Sequence, residues 1–294
     1  MKILITGSNG QLGNELIGIL NAGESEIGQV DSIYAGAEVT GVDIGNLDIT
    51  DFHALSDFVQ GNQFDLIINC AAMTNVDACE CDYETAMKVN AIGARNMALV
   101  ADLLGAKIVH VSTDYVFDGD AKTPYCEWDA PNPSTIYGKS KLLGERYVRE
   151  SCERSFIVRT AWLYGYVGNN FVKTIIKLAS ERESIKVVDD QVGNPTSAND
   201  LAHHILKIAR AEDYGIYHCT CDGICSWYDF AKEIVRLAGL TCEVVPCTTE
   251  EFPRPAPRPA YSAMDNLMLR STVGDETRPW AEALSVFMKN QKDW

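Results

Sequence analysis

The chain has 294 residues, 46% hydrophobic and 22% charged, a balance that fits a folded globular protein and excludes a disordered or fibrous one. A net charge of −16 without any run of lysine or arginine sets it against nucleic acid and anionic membrane surfaces, so small-molecule partners are expected. The first apolar run is too short for a signal peptide, no stretch approaches the ~18 apolar residues of a membrane span, and the ten cysteines lack paired zinc spacing; a cytoplasmic protein with reduced thiols is expected.

Residues Lys2 to Thr6 read as a strand, Gly7-Ser8-Asn9-Gly10-Gln11-Leu12-Gly13 as a turn, and Glu15 to Leu20 as helix. Strand, glycine turn and helix together suit a dinucleotide pyrophosphate, because glycines admit the ligand to the backbone and the helix start offers free N–H groups. The spacing is GxxGxxG, carried by Gly7, Gly10 and Gly13. An acid after the second strand would hold the adenosine ribose. Asp31 has the better distance but follows a poor strand, Glu26 to Val30; Asp43 closes the stronger pattern Glu38 to Val42 and is preferred. Such an acid disfavours a 2′-phosphate, yet NADH and NADPH both stay open.

Phe64 to Asn69 reads as a buried strand ending in the small residues Cys70, Ala71 and Ala72, which leave room for a flat nucleotide. A helix from about Tyr83 to Leu104 follows, with Asn90 and Gly93, and then a strand, Lys107 to Val111, ending in Ser112-Thr113-Asp114. Ligands of open parallel sheets bind outside the carboxyl ends of strands, so these hydroxyls belong to the expected site. Pro131 to Thr135 supply helix-start chemistry for a helix from Tyr137 to about Glu150. Tyr137 and Lys141 then share one face, and the ammonium is expected to draw the phenol pKa down. Tyr228 and Lys232 have the same spacing but lie far from any such strand end, and read as packing.

After a strand at Ser155 to Thr160, loops rich in aromatics and amides appear around Trp162 and Asn170, followed by a helix near 172–182 and the apolar run Ile185 to Val188. Asp200 to Ala211 reads as helix, Gly215 to Cys219 as strand and Ser226 to Ala238 as helix. Neighbours His203 and His204 point apart on a helix and are read as structural. Residues 252–262 are proline-rich and carry Arg254 and Arg258, whose forked N–H donors suit a diphosphate; a helical pattern follows to the end. The expected architecture is α/β: a Rossmann-type doubly wound parallel sheet in residues 1–160 and a smaller substrate-binding lobe in 161–294. The two interleave, with elements near 172–182 and 200–240 packing back on the sheet.

Glycine turn, Ser-Thr-Asp strand end and Tyr-xxx-Lys helix, in that order, resemble the extended short-chain dehydrogenase/reductase family. Within it, Leu47-Asp48-Ile49-Thr50-Asp51, Asn69 to Asp77, Val111 to Gly119, Arg159 to Gly165, Gly168 to Thr174, Asp190 to Thr196 and Arg258 to Ser262 are similar to the dTDP-4-dehydrorhamnose reductase family over nearly the whole chain. That resemblance implies NADPH- or NADH-dependent reduction of the 4-keto group of dTDP-4-dehydro-L-rhamnose to dTDP-L-rhamnose for cell-surface polysaccharide. Thr113, Tyr137 and Lys141 would be its catalytic triad; Gly7, Gly10, Gln11, Leu12, Gly13, Asp43, Asp48, Ile49, Ala71, Ala72, Met73 and Thr74 would join Tyr137 and Lys141 on the cofactor. Thr113, Asp114, Trp162, Asn170 and Arg258 would face the nucleotide sugar. Met73 and Cys70 depart from the family's usual residues without threatening the chemistry. Some members bind magnesium at a dimer contact through glutamates. Only Glu15 matches, which makes no metal site, while a homodimer stays open. Other sugar-nucleotide reductases and epimerases share the fold, and a relative serves methionine adenosyltransferase as a non-catalytic subunit. A dehydratase is disfavoured because Tyr115, not a glutamate, follows Asp114.

Overall fold

The computed structural model describes residues 1–291. Its strands are β1 (Lys2–Thr6), β2 (Glu38–Val42), β3 (Leu66–Asn69), β4 (Lys107–Thr113), β5 (Ser155–Thr160), β6 (Ser184–Val188), β7 (Gly215–His218) and β8 (Glu243–Cys247), with several two-residue pairs besides. Six of them form one parallel sheet in the order β7-β5-β4-β3-β1-β2. The near-continuous apolar runs of β1, β3 and β5 are what a sheet covered on both faces requires. Strand order reverses between β1 and β3, and a ligand crevice is expected at their carboxyl ends.

The helices are α1 (Gln11–Ala22), α2 (Phe52–Gln60), α3 (Val76–Cys81), α4 (Tyr83–Met87, Lys88–Gly93 and Ala94–Leu104 in succession), α5 (Ile136–Ser151), α6 (Phe171–Glu181), α7 (Ala198–Arg210), α8 (Trp227–Leu237), α9 (Leu267–Thr272) and α10 (Trp280–Asn290). Alternation along the strands divides them between two cores. Ile3, Ile5 and Val158 pack with Leu16 of α1 and Leu201 and Ile205 of α7, whereas Leu4, Ile67 and Ile157 pack with Leu55 of α2, Met97 and Val100 of α4 and Val148 of α5. Both faces of the sheet are therefore covered, as the sequence led us to expect. No helix among the described residues is long and apolar enough to cross a membrane.

A third core lies elsewhere. Val172 and Ile175 of α6, Phe230 and Ile234 of α8, Leu284 and Phe287 of α10 and Ile185 and Val187 of β6 bury one another, with β6 paired in parallel to β8. Helices α6 and α8 thus pack together and not on the large sheet, where the sequence reading put them. The reason is α7, buried along Ala198 to Leu206, which fills the face they would have used. Strand β8, helix α2 and helix α3 had no strong sequence signal. Helix α4 differs from the single regular helix expected: Lys88–Gly93 widens into a π-type turn. The C-terminal helical pattern ends with α10; its last positions, 292–294, lie outside the described residues.

Helix α5 starts as expected, with Thr135 as N-cap accepting from the Gly138 N–H at 3.0 Å. It lies close to its neighbours because two of its residues are glycine. A Cβ on Gly138 would stand 2.0 Å from the Tyr115 carbonyl oxygen, and one on Gly144 would stand 2.3 Å from that of Asn90. Helix propensity alone would favour alanine by about 1 kcal/mol at such positions, so the backbone contact decides the sign. Gly144→Ala is expected to lower stability by about 1–3 kcal/mol as α4 and α5 are forced apart. Urea unfolding of the variant tests this, and an unchanged or higher midpoint would contradict it.

Candidate active site

A cleft of about 1290 Å³ opens at the carboxyl ends of β1, β2, β3 and β4, and its wall runs from the glycine turn to the loop carrying Arg258. Gly7 has φ +66°, and a Cβ there would meet the Ala71 backbone nitrogen at 2.8 Å; one on Gly13 would meet the Gly7 oxygen at 2.3 Å. The turn closes by a hydrogen bond from Gly10 N–H to Gly7 O at 3.0 Å, and α1 begins without a side-chain cap or an acid in its first turn. Its N–H groups are left for an anion. Asp43 lies beside the turn and accepts from Asn9 N–H at 3.1 Å and Ile44 N–H at 2.8 Å. Asp31 does not line the cleft: it caps the short helix Ser32–Tyr34 and pairs with Arg210.

Gln11, Leu12, Asp48, Ile49, Ala71, Ala72, Met73 and Thr74 all line the same cleft. Asp48 is turned partly to its own loop, accepting from Thr50 N–H at 2.8 Å. Met73 is fixed by Asn90, which accepts its N–H at 2.8 Å and donates to its carbonyl at 3.1 Å. The same Asn90 amide donates to Ser140 at 3.0 Å, so the wide turn of α4 ties the loop after β3 to α5.

Tyr137, Lys141 and Thr113 meet at the cleft wall, and all three are buried. The Thr113 hydroxyl donates to Asp114 Oδ1 at 2.8 Å and accepts from Tyr115 N–H at 3.2 Å. Burial raises the Tyr137 phenol above its ordinary value against the lowering effect of its hydrogen bond with Thr113. This corrects the expectation that Lys141 draws it down. Lys141 Nζ donates instead to the Val111 carbonyl at 2.7 Å, because a buried ammonium takes the nearest acceptors. Tyr115 meets Tyr137 edge to face at 5.4 Å. Tyr228 is elsewhere, in the third core, with Lys232 Nζ 5.0 Å from its ring centroid.

On the far side, Asp114 is buried and pushed up to about 6 by desolvation, with Ser262 and Thr113 drawing it down less. Trp162 is the one non-glycine with a left-handed backbone among the described residues (φ 47°); it stacks on Trp227 at 3.5 Å and leaves no room for a Cβ on Gly193. Arg258 is in the wall but pairs with Asp77 at 2.9 Å. Lys186 and Arg254 join it there. Asn170 does not line the cleft: it caps α6 and donates to Gln11 Oε1 at 3.0 Å and Gly165 O at 2.8 Å, which links the second lobe to the glycine turn. Glu15 accepts from Asn199 at 2.6 Å.

Sequence reasoning missed a buried pair beneath the site. Arg159 Nε and Nη2 reach the two oxygens of Glu145 at 2.9 and 2.7 Å, and Ser112 donates to Glu145 at 2.5 Å. A lone arginine inside the apolar run Ser155–Thr160 was the available signal, since such a charge demands a buried acid.

Burial lowers Lys141 to about 8, with Glu145 and Cys70 pulling it back up. A depressed lysine binds its proton less well folded than unfolded, so its charge destabilises the fold below about pH 8 and ceases to do so as pH rises toward the unfolded value near ~10.4. Lys141→Met is therefore expected to gain most stability relative to the parent at neutral pH, with the gain shrinking between pH ~8 and ~10. Denaturation of both proteins across that range checks the slope, and a gain that grows with pH would contradict it.

A six-stranded parallel sheet, a glycine turn at its switch point and a Tyr-xxx-Lys helix beside β4 define an extended short-chain dehydrogenase/reductase fold. The family model described as RmlD substrate binding domain matches residues 1–292, and the chain belongs to that family. It is similar to the spore coat polysaccharide biosynthesis protein SpsK of Bacillus subtilis, 41% identical over 290 residues, 99% of this chain and 98% of that one. Two solved structures, both dTDP-4-dehydrorhamnose reductases, are similar throughout. That of Clostridium acetobutylicum has a TM-score of 0.93 at 52% identity, covering 98% of this chain and 99% of its own. That of Bacillus anthracis, in complex with NADP, has a TM-score of 0.90 at 44% identity and 98% coverage of both.

Proposed function

We propose that the chain is an NAD(P)H-dependent dTDP-4-dehydrorhamnose reductase, converting dTDP-4-dehydro-L-rhamnose to dTDP-L-rhamnose for cell-surface polysaccharide. The observation that carries the reading is the meeting of Tyr137, Lys141 and Thr113 on the wall of a cleft whose other end is a glycine turn at a helix start.

The residues fit a dinucleotide. The uncapped start of α1 with Gly7, Gly10, Gln11, Leu12 and Gly13 suits a pyrophosphate, Asp43 suits the adenosine ribose, and Asp48, Ile49, Ala71, Ala72, Met73 and Thr74 form the remaining walls. Bound there, the reduced nicotinamide supplies a hydride to the substrate's carbonyl carbon. Tyr137 supplies the proton: burial keeps the phenol protonated at neutral pH, so it is an acid when negative charge grows on the carbonyl oxygen. Lys141, one turn along the same helix face and in the same wall, suits the nicotinamide ribose. Thr113 gives the oxygen a second hydrogen bond once its hydroxyl rotates from Asp114. Asp114 and Trp162 bound the sugar, and the cations Lys186, Arg254 and Arg258 flank the path of the diphosphate. Asn170 acts at one remove, by holding Gln11. Residence in the cytoplasm and a homodimer belong to the same proposal.

The test is incubation with the dTDP-4-keto-L-sugar and reduced nicotinamide, following cofactor oxidation; no oxidation would sink the reading. Tyr137→Phe is expected to lower kcat by about 10²-fold or more with cofactor binding retained, since the ring still packs while the proton is lost. Tyr228→Phe should leave kcat near the parent value. A large loss in the second variant with none in the first would assign the acid to the other pair.

A further inference from the structure

The deep side of Lys141 is held in an unusual way for a buried ammonium. Besides the Val111 carbonyl, its partner is His110 Nε2 at 3.4 Å. The groups facing it are Tyr137 and Glu145, one turn before and after on its own helix, Cys70 at the end of β3 and His110 on β4. Glu145 is engaged through both oxygens by Arg159 and by Ser112, so no carboxylate among the described residues forms an ion pair with Lys141.

Behind His110 the contacts continue across the sheet. Its Nδ1 lies 3.0 Å from the Asn69 amide nitrogen, and the Asn69 oxygen accepts from Thr6 Oγ1 at 2.6 Å; a half-turn of the side-chain amide exchanges the two ends with little change of shape. An ammonium can only donate, so beside it Nε2 must accept and the ring proton must sit on Nδ1. Nδ1–H in turn needs the amide oxygen of Asn69, reached by a half-turn of that amide, and the Asn69 NH₂ then donates to Thr6. With the amide nitrogen toward the ring, as the side chain is placed, the amide suits the other tautomer, whose Nε2–H can be accepted only by an uncharged amine. The Thr6 hydroxyl serves either orientation because it both donates and accepts. The ring carries one proton in both arrangements and stays neutral, as its complete burial requires.

We propose that His110 is a positioning residue for Lys141: its Nε2 accepts from the ammonium, and Asn69, backed by Thr6, turns its amide oxygen to the Nδ1–H that this requires. The inference rests on the reductase reading for its kinetic consequence, but the network itself is a property of the protein alone. It also accounts for polar side chains at positions 6, 69 and 110, each buried next to apolar strand neighbours.

Two measurements test it. In the wild-type protein the nitrogen chemical shifts of His110 at pH about 6, well below the lysine's value of about 8, should show the proton on Nδ1; a proton on Nε2 overturns the proposal. His110→Leu removes the acceptor and His110→Gln keeps one. For the leucine variant kcat should fall on the order of tenfold, more than KM for the reduced nicotinamide changes, with the alkaline loss of activity moved to lower pH. Glutamine should restore most of both. A folded leucine variant with the parent's kcat and pH profile, or a folded glutamine variant no better than leucine, overturns the role. If neither variant folds, the wild-type nitrogen shifts decide alone. Wild-type protein inactive on the keto sugar would instead remove the reductase reading and leave those shifts to judge the network.

Discussion

The buried contact between Glu145 and Arg159 fixes how α5 is rotated, and the cleft chemistry depends on that rotation. Tyr137, Lys141 and Glu145 recur every four residues and so share the face turned to the sheet. Glu145 is gripped from β5 by Arg159 and from β4 by Ser112, while the Arg159 guanidinium lies 5.2 Å from the Phe117 ring centroid. A buried pair of this kind adds little net stability over apolar residues, but losing one partner strands a charge at a cost of about 3–5 kcal/mol. Its value is in orientation: a helix held by a forked ion pair cannot turn without breaking both bonds.

Charge is distributed along the cleft in the same economical way. The chain carries −16 overall, yet the lysines and arginines lining the cleft are Lys141 on its wall and Lys186, Arg254 and Arg258 toward one end, while Asp43 stands at the other. In a chain of this net charge, cations gathered toward one end make that part of the cleft locally favourable to a small anion. Within the wall, burial raises the phenol of Tyr137 and lowers the ammonium of Lys141, so each is shifted toward its neutral form by the same desolvation.

The legible parts of the sequence were those with one dominant local cause. The apolar runs of β1, β3, β4 and β5, the glycine turn and the Thr135 cap all state their conformation within a few residues. Tyr137 could be told from Tyr228 because the first follows a strand that ends in hydroxyls. What stayed hidden depended on partners far away in the chain. The pairing of β6 with β8 joins segments some sixty residues apart, and β8 contains a proline and a glutamate that obscure it. Helices α6 and α8 could have packed on the sheet until α7 took that face. Asn170 reads as a polar loop residue; only the folded chain brings it to Gln11. The rotation of Lys141 toward Val111 and His110 could not be foreseen from its spacing to Tyr137.

The wide turn at Lys88–Gly93 has a consequence for how this chain can vary in length. A π-type turn holds one residue more than an α-helical turn, and here the surplus lets Asn90 reach Met73 and Ser140 at once. Removing a single residue from it would give a shorter, regular helix whose far segment keeps its rotation about the axis, because the wide turn had absorbed the surplus. Met97 and Val100 would keep their place in the core, and what would be lost is the reach of Asn90 to Met73 and Ser140. A deletion there would therefore spare the packing of α4 and fall on the cleft wall at Met73, in a different segment from the one whose length changed.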